Sequence, residues 1–173
     1  MSESDDGALK VTSLLVDRKS TAPPVEILID NLGALSVSRR MSREIALRAV
    51  YVIEMRDCTV DESLKDTLVT EGQAISEFTI ELIKNTVKHS DQLDEIIRNK
   101  IEKWEFHRVA MIDRLILRLA VAEMLYFPDI PPKVSINEAI EIGKKFSTEN
   151  SGRFINGVLD SVYGDMGRGE KLT

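Results

Sequence analysis

The segment 113–127, DRLILRLAVAEMLYF, carries apolar residues around most of the circumference that an α-helix would present. A helix that is apolar on nearly all sides has to be surrounded by other elements or by lipid. A membrane-spanning helix needs about 20 apolar residues, and no run in this chain approaches that length. We therefore predict that 113–127 is a central buried helix, which the rest of the chain covers with further helices.

Six other segments repeat apolar residues at the three-and-four spacing of one helix face. They are 41–56 with Ile45, Ala49, Val52 and Ile53 facing inward, a segment opened at Thr59 and ended by Glu71-Gly72, one marked by Ile75, Phe78, Leu82 and Thr86, one from Ser90 to Trp104 with Leu93, Ile96, Ile97 and Ile101 as its stripe, one from Ser135 to Phe146, and one with Phe154, Val158 and Val162. No strand pattern occurs within 38–163. The predicted fold class is all-α, with about seven helices.

Hydroxyl and carboxylate side chains predict where three of these helices begin. Thr59 with Glu62, and Ser135 with Glu138, have the spacing of a capping box, in which both side chains satisfy backbone N–H groups at a helix start. Ser90 is a good N-cap residue for the fourth helix because its hydroxyl can accept from a backbone N–H.

Charge and composition divide the chain into three parts. Residues 1–36 hold three basic against six acidic residues and little periodicity, which predicts a poorly ordered acidic extension. Residues 37–163 form the predicted helical domain, and the glycines at its end predict a flexible tail over 164–173. The net charge of −6 argues against indiscriminate coating of nucleic acid. Within that acidic protein, residues 37–56 hold five arginines against two glutamates.

The sequence offers no arrangement for catalysis, and we predict no enzyme activity, no cofactor and no metal site. His89 and His107 lack metal-ligand spacing, Cys58 has no CxxC partner, and no glycine-rich loop follows a strand. A single cysteine and an N-terminus without a signal-peptide pattern predict a cytoplasmic protein. We expect no association with membranes.

The segment SRRMSRE (38–44) is the densest basic stretch of the chain. Arg39, Arg40 and Arg43 are spaced so that two or three guanidinium groups project from one end of the first helix. Each group can bind a phosphate through two hydrogen bonds or stack on a base. The alternative is a solvated basic start to a helix, which composition alone favours because arginines are common on surfaces.

Three stretches resemble the NusB family of bacterial transcription antitermination factors, in matching order and separation. The first is the arginine-rich opening from Arg39 to Tyr51, and the second is Trp104-x-x-x-Arg108 followed by the segment Ile112 to Ala120. The longest runs from Asp129 through Phe146 to Asp160. Together they cover about 38–163, and residues 1–36 fall outside the resemblance.

The resemblance implies two small helical bundles that share the central helix. It also implies that the protein binds the boxA element of nascent ribosomal RNA leaders, as single-stranded RNA and as a heterodimer with the ribosomal protein NusE. In that role it would help RNA polymerase, within an antitermination complex, to read through terminators. Some relatives associate with themselves, so a homodimer is an open alternative. The other functional hypothesis is a helical protein–protein adaptor without RNA binding.

Residue roles follow from the resemblance by position. Arg39, Arg40 and Arg43 match RNA-contacting arginines, and Tyr51 falls on an aromatic position that follows them. Asp113 matches an acidic residue that faces the basic ribosomal protein. For Asp113 the alternative is a surface aspartate that suits the positive end of the helix dipole.

A second RNA-facing patch is implied for the segment Glu149 to Asn156. Within it Arg153 can meet phosphate, Phe154 can stack on a base, and Asn150 stands where an aspartate is usual, which removes a negative charge beside the RNA. Phe154 has core packing as its alternative, because it shares a helix face with Val158. Met41 departs from the family by replacing a basic residue, which removes one phosphate contact.

Overall fold

A computed structural model describes residues 37–71, 75–101 and 106–168, and within these ranges the chain forms seven α-helices and no strand. A short 3-10 helix, Phe106–Arg108, precedes the fifth helix. The α-helices are α1 (Arg39–Arg56), α2 (Val60–Glu71), α3 (Glu77–Lys88), α4 (Ser90–Arg98), α5 (Met111–Tyr126), α6 (Pro132–Phe146) and α7 (Ser151–Arg168). In the described ranges no helix is both long and apolar enough to cross a membrane.

Helix α5 lies at the centre of the molecule. It packs against α1, α3, α4, α6 and α7, and every residue from Leu115 to Met124 is buried. Burial of a leucine or isoleucine side chain contributes roughly 1.5–3 kcal/mol, so this helix supplies a large part of the apolar core. The prediction of a central buried helix is confirmed.

The apolar faces of α3 and α4 agree with the sequence pattern, whereas the N-terminal half of α1 is buried more widely than its predicted stripe. The predicted stripe residues from Ile75 to Thr86 and from Leu93 to Ile101 are buried. On α1, Leu47 and Val50 are buried, but Val52 is only half-buried. The buried face of α1 therefore continues through Arg43 at its N-terminal end.

Of two predicted helix starts, the structure confirms one and contradicts the other. The Thr59–Glu62 capping box is confirmed, because the Glu62 backbone N–H donates to Thr59 Oγ1 at 3.3 Å and the Thr59 N–H donates to Glu62 Oε2 at 2.9 Å. Ser90 was predicted as an N-cap, which is wrong. His89 holds that position without a side-chain hydrogen bond, because the chain passes from α3 to α4 through this one residue.

The predicted capping box Ser135–Glu138 is also wrong. Helix α6 begins three residues earlier, at Pro132, where the fixed φ of proline suits the first helical position and its missing N–H costs nothing. Ser135 therefore lies inside the helix, and its hydroxyl donates to Glu123 Oε1 at 2.6 Å. Glu138 instead contacts Arg40.

The C-terminal helix runs further than its glycines predict. A flexible tail was expected from Gly164, but α7 continues to Arg168. Val162 is fully buried, Met166 packs against the core, and buried Asp165 pairs with Lys100. These contacts offset the low helix propensity of glycine, about 1 kcal/mol per residue. The tail prediction is wrong for 164–168, and its remaining residues, like the extension 1–36 and Trp104, lie outside the described residues.

Candidate nucleic-acid interface

The N-terminus of α1 presents two exposed arginines. Ser38 caps the helix by accepting from the Met41 backbone N–H at 3.2 Å, and no acidic residue stands in the first turn. Arg39 and Arg40 follow the cap directly and are exposed. Because a helix N-terminus already carries partial positive charge, these cations strengthen an anion-attracting end at some cost to helix stability.

Each exposed arginine has a partner within the protein. The Arg39 guanidinium lies 4.2 Å from the centroid of the Phe78 ring on α3, a cation–π contact. Arg40 donates to Glu138 on α6 through two parallel hydrogen bonds, Nε to Oε2 at 2.9 Å and Nη2 to Oε1 at 2.7 Å. The Arg40 side chain nevertheless remains 56% exposed, so solvent and ligands can reach it.

Arg43 does not lie on the surface. Its side chain is 8% exposed, and it donates Nε to Glu123 Oε2 at 2.7 Å and Nη2 to Glu123 Oε1 at 2.8 Å. Glu123 belongs to the central helix and is buried as well. Arg43 therefore does not face solvent in this structure, because it follows the buried face of α1 and neutralises a buried carboxylate, and its contact with RNA stays a prediction.

Tyr51 lies three helical turns beyond the arginines, roughly 16 Å from Arg40 along the axis of α1. Its side chain is 38% exposed. It borders a groove lined by Leu47, Arg48, Tyr51, Val52, Asp66, Thr67, Ile112 and Phe146. An exposed aromatic ring at a groove edge can stack on a base, as expected for this position.

The turn between α6 and α7 holds the second predicted patch. Asn150 and Arg153 are exposed, and Phe154 is half-buried. Asn150 and Phe154 line a cleft together with Arg108, Val109, Ala110, Asp113, Thr148 and Ser151. Phe154 packs partly against the core, so both of its proposed roles, packing and stacking, are compatible with its position.

Asp113 is directed into the protein rather than toward a partner. It is 7% exposed, and its Oδ2 accepts a 2.9 Å hydrogen bond from the Ser151 hydroxyl. This bond joins the first turn of α5 to the first turn of α7. The carboxylate bridges two helix N-termini, where negative charge is favourable, and the contact of Asp113 with a partner protein stays a prediction.

Two basic residues that the sequence analysis did not single out connect the two regions. Lys145 Nζ lies 2.6 Å from Glu44 Oε2 and 5.1 Å from the Phe146 ring centroid, and the Arg48 guanidinium lies 5.5 Å from the same centroid. Phe146 ends α6 directly before the turn. The pair Lys144-Lys145, next to the predicted patch, was the signal that could have identified Lys145.

The basic edge is defined here as Arg39, Arg40 and Arg48 of α1, Lys145 near the end of α6, and Arg153 in the first turn of α7. Carboxylates are interspersed along it, because Glu138 pairs with Arg40 and Glu44 pairs with Lys145. In the described ranges no group of histidine, cysteine, aspartate or glutamate side chains could hold a metal ion. The arrangement is suited to contacts with an extended anion.

The sequence model described as the NusB family matches residues 40–164. This chain belongs to the NusB family. It is 40% identical over 133 residues to the transcription antitermination protein NusB of Chloroherpeton thalassium, a match that covers 75% of this chain but only 63% of that protein. It is 40% identical over 130 residues to NusB of Bacillus subtilis, covering 75% of this chain and 98% of that protein.

Solved structures agree with this membership. T. maritima NusB superposes with a TM-score of 0.66 at 34% identity, covering 75% of this chain and 92% of that chain. A chain from a crystal structure of antitermination factors NusB and NusE in complex with dsRNA gives a TM-score of 0.66 at 26% identity, covering 73% and 96%. The predicted all-α NusB fold is confirmed. NusB proteins are transcription antitermination factors and not enzymes, which agrees with the absence of a catalytic motif.

Proposed function

We propose that this NusB-family protein binds boxA-type single-stranded RNA of ribosomal RNA leaders. It would do so as a heterodimer with the ribosomal protein NusE, within an antitermination complex of RNA polymerase in the cytoplasm. The basic edge carries the proposal, because it combines half-buried Arg48 with four exposed cations, Arg39, Arg40, Lys145 and Arg153, in a protein whose net charge is −6. The relative crystallised with NusE and dsRNA supports NusE and RNA in general as partners.

The proposed division of labour follows from exposure and chemistry. Arg39, Arg40, Lys145 and Arg153 would contact phosphates, which supply affinity that depends little on sequence. Tyr51 and Phe154 would stack on splayed bases, and Asn150 would hydrogen-bond to a base edge or phosphate. With three or four phosphate contacts, the logarithm of the binding constant should fall with the logarithm of salt concentration with a slope of roughly −2 to −3.

A partner that also contacts RNA would raise the affinity without new contacts on this chain. Three or four phosphate contacts alone give modest binding, and a NusE subunit bound to both would increase the effective concentration of RNA at the basic edge. By linkage, RNA should then tighten the binding of NusE by the same factor that NusE tightens the binding of RNA. Such reciprocity is measurable.

Replacing Arg39 and Arg40 by alanine tests the proposal directly. The double variant R39A/R40A should bind a boxA-type RNA at least tenfold more weakly and show a salt slope about 1.4 smaller in magnitude, because two phosphate contacts are lost. Fluorescence titrations with and without NusE measure both quantities. Thermal unfolding should be nearly unchanged, because both side chains are exposed.

The matched control is K84A/K88A, which removes two exposed positive charges from α3. It should leave RNA affinity within about twofold, since long-range effects of exposed charges are screened by salt. Equal losses of RNA affinity in both double variants would show that the basic edge acts only through general electrostatic attraction. If NusE binds while no RNA does, the adaptor hypothesis replaces this one, and exposed Tyr51 and Met55 on α1 are the first candidates for its contact face.

A further inference from the structure

The pair of Arg40 and Glu138 has the geometry with which arginine recognises an oxyanion ligand. Two N–H groups of one guanidinium meet two oxygens of one carboxylate at 2.9 and 2.7 Å. A phosphate is bound by arginine in the same two-pronged way. The second arginine nearby, Arg43, places Nη1 at 3.9 Å from Glu138 Oε2. Glu138 therefore occupies the position that an RNA phosphate would take on Arg40.

Other contacts already hold the N-terminal end of α1 against the rest of the protein. The Arg43–Glu123 pair joins α1 to α5 with both side chains buried. The hydroxyls of Ser42 and Ser76 lie 3.0 Å apart and join α1 to the cap of α3. By contrast the Arg40 side chain is 56% exposed and that of Glu138 17% exposed, and an ion pair open to solvent on one side stabilises a fold only modestly. The fold does not depend on the contact between Arg40 and Glu138.

We infer that Glu138 is an intramolecular competitor for RNA, which a backbone phosphate has to displace from Arg40 before that arginine contributes to binding. This inference rests on the proposed function, and it assigns to Glu138 a role in setting RNA affinity and selectivity. An isolated phosphate gains little from the exchange, because it replaces one anion by another. An RNA that also contacts Arg39, Lys145 and Arg153 gains enough elsewhere to make the exchange favourable.

The charge of Glu138 keeps this competition in force at neutral pH. Hydrogen bonds from Arg40 lower the pKa of the Glu138 carboxyl below its ordinary value, against a smaller opposing effect of burial. The carboxylate therefore remains ionised at the neutral pH at which RNA binding would be measured. The same arrangement recurs at Lys145, whose Nζ lies 2.6 Å from Glu44 Oε2, but Glu44 is buried and its substitution would disturb packing.

The substitution E138Q tests the inference with little change in side-chain volume. The glutamine lacks the negative charge and offers Arg40 one acceptor oxygen instead of two. RNA should bind about two- to fivefold more tightly to E138Q than to the parent protein, as expected for release of a partly exposed ion pair. The salt slope should become steeper, by up to about 0.7, because Arg40 gains a full phosphate contact.

The control E141Q removes the same charge from the same helix, at an exposed glutamate paired with Lys144 rather than with Arg40. Its RNA affinity should stay close to that of the parent. Equal tightening in E138Q and E141Q would overturn the inference in favour of a general charge effect. Weaker binding by E138Q would also overturn it, because Glu138 would then position Arg40 for RNA.

A double-mutant cycle separates this inference from the proposed function. R40A should weaken RNA binding more in the E138Q background than in the parent background. In the parent protein, breaking the contact with Glu138 offsets part of the binding free energy that Arg40 contributes. If all variants fail to bind RNA, the proposed function fails. If RNA binds and the two substitutions are additive, the function stands and only the role of Glu138 fails.

Discussion

At the scale of single residues, the three arginines at the start of α1 have three different environments. Arg39 stacks on Phe78, Arg40 pairs with the half-buried carboxylate of Glu138, and Arg43 is buried against Glu123. Sequence spacing predicted the cluster but not this division. The partners lie about 40 to 100 positions away in the chain, and a basic residue on the buried face of a helix looks like a surface residue until its acidic partner is known.

The buried pair leads to a stability prediction. R43A should destabilise the protein by about 3–5 kcal/mol, because it leaves the Glu123 carboxylate buried without its counter-ion. Urea unfolding followed by circular dichroism measures this change. R40A should differ little from the parent protein in the same assay. The double variant R43M/E123L should recover part of the loss, since an apolar pair avoids the buried charge altogether, and no recovery would contradict this account.

At the scale of helices, periodicity predicted the elements whose environment is uniform along their length. The central α5 and the stripes of α3 and α4 followed directly from apolar spacing. Helix ends were predicted less well, because they depend on tertiary contacts. The sequence predicts a cap at Ser135, which instead donates to Glu123, and a stop at Gly164, although Asp165 and Met166 hold α7 in place beyond it.

Two glycines in α6 and α7 test how closely these helices approach. A Cβ at Gly143 would lie 2.5 Å from Ile155 Cδ1, whereas a Cβ at Gly157 would meet nothing within 4 Å. G157A should stabilise the protein by about 0.5–1 kcal/mol through helix propensity. In G143A the displacement of buried Ile155 should offset that gain, at a cost of about 1–3 kcal/mol. Thermal unfolding of both variants should show G143A as the less stable. Equal stabilities would mean that Ile155 moves away from the added Cβ at little cost in free energy.

At the scale of the whole molecule, the candidate site could be predicted only in outline. The sequence identified both ends of the basic edge, Arg39-Arg40 and Asn150 to Phe154. It missed Arg48 and Lys145 between them, because the contact of α1 with α6 joins segments about 100 residues apart. It also predicted that Asp113 contacts a partner protein, because the sequence does not show that the Ser151 hydroxyl lies within hydrogen-bonding distance of the Asp113 carboxylate.

The distribution of charge along the whole chain leads to the last prediction. Residues 1–36 carry six acidic and three basic residues and join the chain just before Arg39. A tethered acidic segment has a high effective concentration at the basic edge, so it should compete with RNA there. Deletion of 1–36 should tighten RNA binding at low salt, and the difference should shrink above about 0.3 M salt as screening increases. A full-length control with the six acidic residues replaced by asparagine or glutamine should bind like the deletion. An unchanged dissociation constant in both proteins would show that the acidic segment and the basic edge act independently.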